Sequence, residues 1–292
     1  MTLAISFLAG TTCFANVTST PASDLMHEGF FAGLGGSYNS VNLTQSSWGK
    51  GISNIQTSTG SNSNGIGQGN GAPFHNVNNV LAPSFQAGYF KHISGTPNLW
   101  GIKLLYQYLD STATDSNLYI PQQGQTTSAI TGITSPLYGY VNAASVQATA
   151  SNDFSLLIFA GRSLGNTTFY FGAGPTVVNL KSKNFNSIGY AYFEGATINV
   201  TGLVNYSSPS FWAWGGAAQI GATYFVTPSW FLDMSYTYTV TSSYTTNHQQ
   251  TFTNSSNVAG VNYTTSGTLY TKDTLSIKNQ ALMLTINKVF DV

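Results

Sequence analysis

Between Ser229 and Val240 the chain reads SWFLDMSYTYTV. Trp230, Leu232, Met234, Tyr236, Tyr238 and Val240 alternate with Asp233, Ser235, Thr237 and Thr239. Successive side chains of a strand point to opposite faces, so this spacing predicts a strand with one apolar and one polar face. Seven further segments repeat the pattern: 29–41, 83–93, 99–110, 145–163, 168–178, 211–226 and 279–290. Their apolar phases include Ala32, Leu34 and Tyr38; Trp100, Ile102, Leu104, Tyr106 and Tyr108; and Leu282, Leu284, Ile286 and Phe290.

The connections alternate in length. SGTPN (94–98), LGNT (164–167) and TPS (227–229) are tight turns with Gly, Pro and Asn. The others, at about 44–82, 111–144, 179–210 and 241–278, are long and rich in Asn, Ser, Thr, Gly and Gln. Short turns at one end and long loops at the other predict an all-β fold: a transmembrane antiparallel up-and-down β-barrel of eight strands, with short periplasmic turns and four long extracellular loops. The apolar faces then point to lipid. IGYAYFEGATINV (188–200) alternates weakly; it forms a hairpin above the membrane, or enters the barrel and makes the count ten.

The aromatic residues fit this orientation. Trp100 and Trp230 fall at the periplasmic ends of outward-running strands, and Tyr106, Tyr108, Tyr236 and Tyr238 at their outer ends. On an inward-running strand the order reverses, with Trp212 and Trp214 outside and Tyr224 near the turn. With Phe290 these make two aromatic girdles. The opposite phase is the lumen, where many glycines leave room for a few large polar residues. Lys103, Asp233, Gln86, Gln107, Asp153 and Gln219 are the lumen candidates. Lys103 lies three residues above Trp100 and Asp233 three above Trp230, on opposite staves of an eight-strand ring, so the two are expected to meet across the lumen and help plug it.

Composition supports the same reading. Only 6% of the 292 residues are charged, against about 25% in average soluble domains. Net charge is zero with no basic stripe, so nucleic acid is not an expected partner. No run of about 18 apolar residues predicts a membrane-crossing helix. MTLAISFLAGTTCFA (1–15) reads as a signal peptide, with Cys13-Phe14-Ala15 as a small-x-small cleavage site and 16–28 as a periplasmic segment before a barrel at 29–292. Cleavage after Ala15 leaves a chain without cysteine.

Chemistry is poorly signalled. His27, His75, His92 and His248 form no i, i+2 or i, i+4 pair, so no metal site is expected. HIS (92–94) has a His-x-Ser spacing seen in membrane acyl hydrolases, but on the periplasmic side. Glu28 and Glu194 are isolated, and the Gly-rich GIGQGNG (65–71) has no strand before it and no helix after it. Neither a catalytic set nor a cofactor is expected.

The chain resembles the small eight-stranded outer-membrane barrels of Gram-negative bacteria, the OmpA-type transmembrane domain and its opacity-like and OmpW-like relatives. The resemblance rests on GFFAGLGGSYNSV after the signal segment, GRSLGNTTFYFGAGP (161–175) around a short turn, and a final strand ending LMLTINKVF. That strand looks like the signal read by the barrel-assembly machinery, although Asp291 and Val292 follow the aromatic and Lys288 interrupts the alternation. The resemblance implies a place in the bacterial outer membrane among lipid and lipopolysaccharide. It implies a non-catalytic structural or surface-interaction role, in envelope integrity, adhesion or contact with a host or surface ligand through the long loops. The alternative is a narrow pore for small or hydrophobic solutes.

Overall fold

The structure, a computed structural model, describes residues 28–290. The expected signal peptide at 1–15, nearly all of 16–28, and Asp291 and Val292 lie outside the described residues. The strands are β1 (Gly29–Thr57), β2 (Asn62–Asn70), β3 (Phe74–His92), β4 (Asn98–Ser128), β5 (Thr134–Leu164) and β6 (Thr167–Phe193). They continue with β7 (Ala196–Asn199), β8 (Val204–Ser207), β9 (Phe211–Thr227), β10 (Trp230–Thr241), β11 (Tyr244–Val258) and β12 (Val261–Phe290). All pairings are antiparallel. Eight strands close a ring in the order β1, β3, β4, β5, β6, β9, β10, β12 and back to β1. The closing ladder runs from Phe30 opposite Phe290 to Thr57 opposite Tyr263. Gly95 and Gly165 take positive φ angles in two of the tight turns, at 74° and 62°, which costs glycine no Cβ clash.

A belt of outward apolar side chains surrounds the lower part of the ring. Trp100, Trp230, Tyr224 and Phe290 lie near the turns, with Tyr108, Tyr236, Tyr238, Trp212 and Trp214 higher up, all substantially exposed. Tyr106 lies against Phe154 at a tilt, with ring centroids 4.7 Å apart. Lys288 Nζ lies 5.9 Å from the Trp230 ring and 5.5 Å from the Phe290 ring, a cation held at the rim of the belt. A closed antiparallel ring with an apolar outside and a polar inside is a membrane-spanning barrel of the outer-membrane type.

The four long loops of the sequence reading are largely strand. β1 runs on to Thr57, β4 to Ser128 and β6 to Phe193, while β5 begins at Thr134 and β12 at Val261. The period of two persists through these stretches, but its polarity inverts. Along β12 the outward residues change from Ile286, Leu284 and Leu282 to Gln280, Lys278 and Ser276. The inward ones change from Asn287 and Thr285 to Ile277 and Leu275. β1 makes the same exchange between Tyr38 and Val41. The cause is the solvent outside the wall. Beside hydrocarbon the outward face must be apolar; beside water the apolar residues gain by turning inward.

The upper barrel therefore has a core like that of a soluble protein. Leu43, Leu180, Leu275 and Ile277 belong to one buried cluster, and Ile55, Ile198, Phe252 and Leu269 to another above it. β2 bridges β1 and β4, and β11 lies along β12. Residues 188–200 form the hairpin of β6 and β7, turning at Glu194 and Gly195, so the membrane ring stays at eight. From Gln280 to Val261 the extension rises roughly 50 Å above the belt, at about 3.3 Å per residue and a tilt near 40°.

Two substitutions on one strand test the inversion. Leu284→Arg, on the lipid face, should cost roughly 2–4 kcal/mol. Thr264→Arg, outward in the extension, should stay within about 0.5 kcal/mol of the parent. Urea titration of bilayer-folded protein, followed by heat-modifiable gel migration, measures both.

Candidate functional site

The lumen is built in layers, which the inward residues of β12 mark in order: Val289, Thr285, Asn279, Leu275, Asp273 and Leu269. The lowest layer is apolar, with Phe31, Phe90, Leu99, Phe159, Phe231 and Val289 packed together. Phe31 and Phe231 meet edge-on at 5.5 Å. This layer closes the periplasmic mouth around a cavity of about 30 Å³, room for one or two water molecules.

Lys103 and Asp233 lie directly above, with Nζ and Oδ2 3.4 Å apart. Both are buried. Tyr170 joins them: Lys103 Nζ donates to its phenol oxygen at 2.8 Å, and that hydroxyl donates to Asp233 Oδ1 at 2.8 Å. The ammonium also stands 4.3 Å from the Tyr170 ring centroid. Gln86 Nε2 donates to Asp233 Oδ2 at 3.0 Å, and reaches Thr285 and Asn287 at 2.8 Å each. Buried charges are tolerated when paired and further hydrogen-bonded, as here. Glycine makes the space: a Cβ at Gly221 would run into the Tyr170 phenol oxygen.

The other predicted lumen residues occupy the next layer. Asp153 accepts from Thr176 at 2.9 Å and from Ser155 at 3.4 Å. Gln107 faces Asp153 across the β4–β5 ladder and accepts from Asn279 at 3.5 Å. Gln219 donates to Ser235 and Thr237 at 3.0 and 2.9 Å. The structure thus joins Lys103, Asp233 and Gln86 in one network and places Gln107, Asp153 and Gln219 outside it.

Tyr170 is not among the lumen candidates of the sequence; its inward phase, between the exposed Phe169 and Phe171, is the available signal. Nor is a second polar layer, between two apolar clusters of the extension. Asp273 accepts from Ser47 at 2.6 Å, Tyr206 at 3.0 Å and Ser182 at 3.4 Å, tying β1, β6, β8 and β12 together. The His248 ring lies over Tyr206 with centroids 4.6 Å apart. Burial, followed by the adjacent Asp273 charge, holds the Tyr206 phenol well above its ordinary value. These residues come from stretches the sequence assigns to loops, so no phase marked them as inward.

His92 does meet a serine, though not the Ser94 of the HIS motif. Its Nε2 lies 3.1 Å from Ser163 Oγ, which is also 2.8 Å from Thr168 Oγ1. The pair sits at the periplasmic rim. Among the described residues no group of three His, Cys, Asp or Glu could hold a metal ion.

No protein-family model matches the chain, and no curated protein matches it. Among solved structures it is similar to Ail, the attachment invasion locus protein of Yersinia pestis, at 11% identity and a TM-score of 0.31, over 85% of this chain and 98% of that one. It is similar to Neisserial surface protein A at 12% identity and a TM-score of 0.27, over 85% and 97%. It is similar to the outer membrane protease OmpT from Escherichia coli at 9% identity and a TM-score of 0.34, over 92% and 100%. Likenesses this distant assign no activity.

Two outcomes follow from the polar layers. Lys103→Met strands a buried carboxylate and should cost roughly 3–5 kcal/mol, most of it recovered in Lys103→Met/Asp233→Leu; urea midpoints measure this. Tyr206→Phe removes one bond to Asp273 and should cost about 1.5–3 kcal/mol. Because the folded-state value of Tyr206 is raised, its contribution is complete below the ordinary 10.0 and is lost as pH rises through the folded value. The stability gap between parent and Tyr206→Phe should therefore narrow above pH 10.0 in an alkaline urea series.

Proposed function

We propose that this outer-membrane barrel is a non-catalytic, non-conducting surface protein, whose membrane ring anchors a rigid extracellular extension for contact with other molecules. The observation that carries the reading is the filled lumen beneath a long, ordered upper barrel. The Phe31–Phe231 layer and the Lys103–Asp233 network occupy successive levels, and three further apolar clusters fill the extension. A cavity inside the extension, beside Gly139 and Gly189, is about 60 Å³, far below the 300–1,000 Å³ typical of a small-molecule site; a wider opening of about 560 Å³ is bordered by Ser46, Trp48, Lys272 and Thr274 on the outward phase of β1 and β12. A pore would leave a continuous polar path, whereas a binding scaffold gains from a solid core that holds its outer face in shape.

The non-catalytic part of the reading rests on engagement. The acids of the described lumen, Asp153, Asp233 and Asp273, each accept bonds from neighbouring side chains. The partners on this reading are lipid and lipopolysaccharide around the belt, the barrel-assembly machinery during insertion, and a surface or host ligand at the extension. Nucleic acid is not among them.

Planar-bilayer recording of the folded protein tests the reading, with heat-modifiable migration as the folding control. The expected result is a silent bilayer. Reproducible discrete steps that change size in Asp233→Ala would overturn it in favour of a narrow pore.

A further inference from the structure

The outer wall of the extension carries a cluster of tyrosines. Tyr119 on β4, Tyr140 on β5 and Tyr190 on β6 stack across three strands. Ring centroids are 5.1 Å apart for Tyr119 and Tyr140, with planes at 29°, and 4.9 Å for Tyr140 and Tyr190, at 26°. Tyr192 continues the row 6.2 Å from Tyr140, and Tyr138 pairs with Tyr192 across the ladder. Tyr119, Tyr138 and Tyr192 are each more than half exposed, at 53%, 56% and 52%. The ladder fixes the spacing: Tyr140 stands opposite Tyr190 and beside Pro121, so strand pairing preorganises the rings. Burial, then the nearby Tyr192, Tyr190 and Tyr119 hydroxyls, raises the pKa of the Tyr140 phenol, consistent with phenols gathered on one face.

Three features decide what such a face suits. It is outside the lipid belt: Tyr119 lies eleven residues beyond Tyr108, roughly 25–30 Å higher at strand rise and tilt. It is uncharged: the three register rows that hold these tyrosines contain no Asp, Glu, Lys or Arg, and carry amides at Gln123 and Asn142. It is a row of stacked phenol rings with amides beside it. Sugar rings have an apolar C–H face and a fringe of hydroxyls, so they match stacked phenols on one count and amides on the other. A phosphorylated or sulfated ligand finds no cation here. At this height the wall of an outer-membrane barrel stands among the saccharide chains of the surrounding lipopolysaccharide.

We propose that the Tyr119–Tyr140–Tyr190 face binds neutral pyranose chains, the uncharged saccharide of the lipopolysaccharide leaflet around the barrel. The proposal rests on the surface-contact reading above and names the ligand for one part of that surface. Binding fixes the extension within the saccharide layer, with the protein's other exposed surfaces left free.

The test uses the full chain in phospholipid nanodiscs that contain no lipopolysaccharide. The probe is delipidated O-polysaccharide with an uncharged repeat, and tyrosine fluorescence and calorimetry follow its binding. Saturable binding is expected, weakened at least about tenfold in Tyr119→Ala/Tyr140→Ala/Tyr190→Ala. Tyr140→Phe keeps the ring and should remain within about twofold of the parent. Tyr119→Ala alone, at an exposed position, serves if the triple variant does not fold, with a loss of roughly threefold. Absence of binding by the folded parent would overturn the proposal, as would equal binding by parent and tyrosine variants. Equal or tighter binding of a phosphorylated core oligosaccharide would also overturn it. Loss of self-association or of cell attachment in the variants, with polysaccharide binding intact, would make this a protein-docking face. A silent bilayer with no saccharide binding would leave the surface reading standing and remove only this ligand.

Discussion

The long strands of this barrel, β1 and β12 among them, leave hydrocarbon and enter water part of the way along their length, and the arrangement of the layers follows from that boundary. The backbone meets both solvents in the same way, because a closed ring satisfies its N–H and C=O groups in ladders whatever lies outside. Side chains must change. Leu282 faces lipid, and Gln280, two residues on along the same face, faces the aqueous side. Ile277 and Leu275 then turn inward, where Asn287 and Thr285 stood lower down. One ladder, unbroken from Phe30 opposite Phe290 to Thr57 opposite Tyr263, carries an inside-out protein below and a conventional core above.

That boundary also determines how the lumen can be filled. Within the membrane ring an apolar layer closes the periplasmic end, and above it the interior is held by specific polar geometry. Hydrogen bonds join Lys103, Tyr170, Asp233 and Gln86 through the Asp233 carboxylate, and Gly221 admits the phenol ring. Such a network is stable as a whole and costly in fragments, because loss of one partner leaves a buried charge uncompensated. Above the boundary, area burial resumes, and the Asp273 layer lies between apolar clusters as the isolated polar tie among β1, β6, β8 and β12.

On the surface-contact proposal, an extension of paired strands serves binding better than flexible loops would. Loops that order on binding lose conformational entropy at that moment. The tyrosines on β4, β5 and β6 are held at ladder spacing before any ligand arrives. A solid core beneath them, from Ile55 to Leu269, keeps the platform in shape, and the membrane ring sets its height.

The sequence alone determined the membrane ring. Strict alternation in segments such as 229–240, tight turns alternating with long connections, and the reversed aromatic order on 211–226 specify the staves, their direction and their lipid face, with 188–200 leaving the count at eight or ten. Those signals are local and one-dimensional, with a period of two and a solvent that demands it. The inward phase of Lys103 and Asp233 was legible for the same reason. The tertiary structure alone decided the rest. Residues 241–278 and 111–144 read as loops because Thr, Ser and Asn dominate them, and their apolar positions lie on the face opposite to the one the membrane segments use. Only closure of the ring shows that this face is interior. Asp273 with Tyr206, and Tyr119 with Tyr140 and Tyr190, come together through strand register across the wall. Register depends on which strand is neighbour to which, and no single strand encodes it.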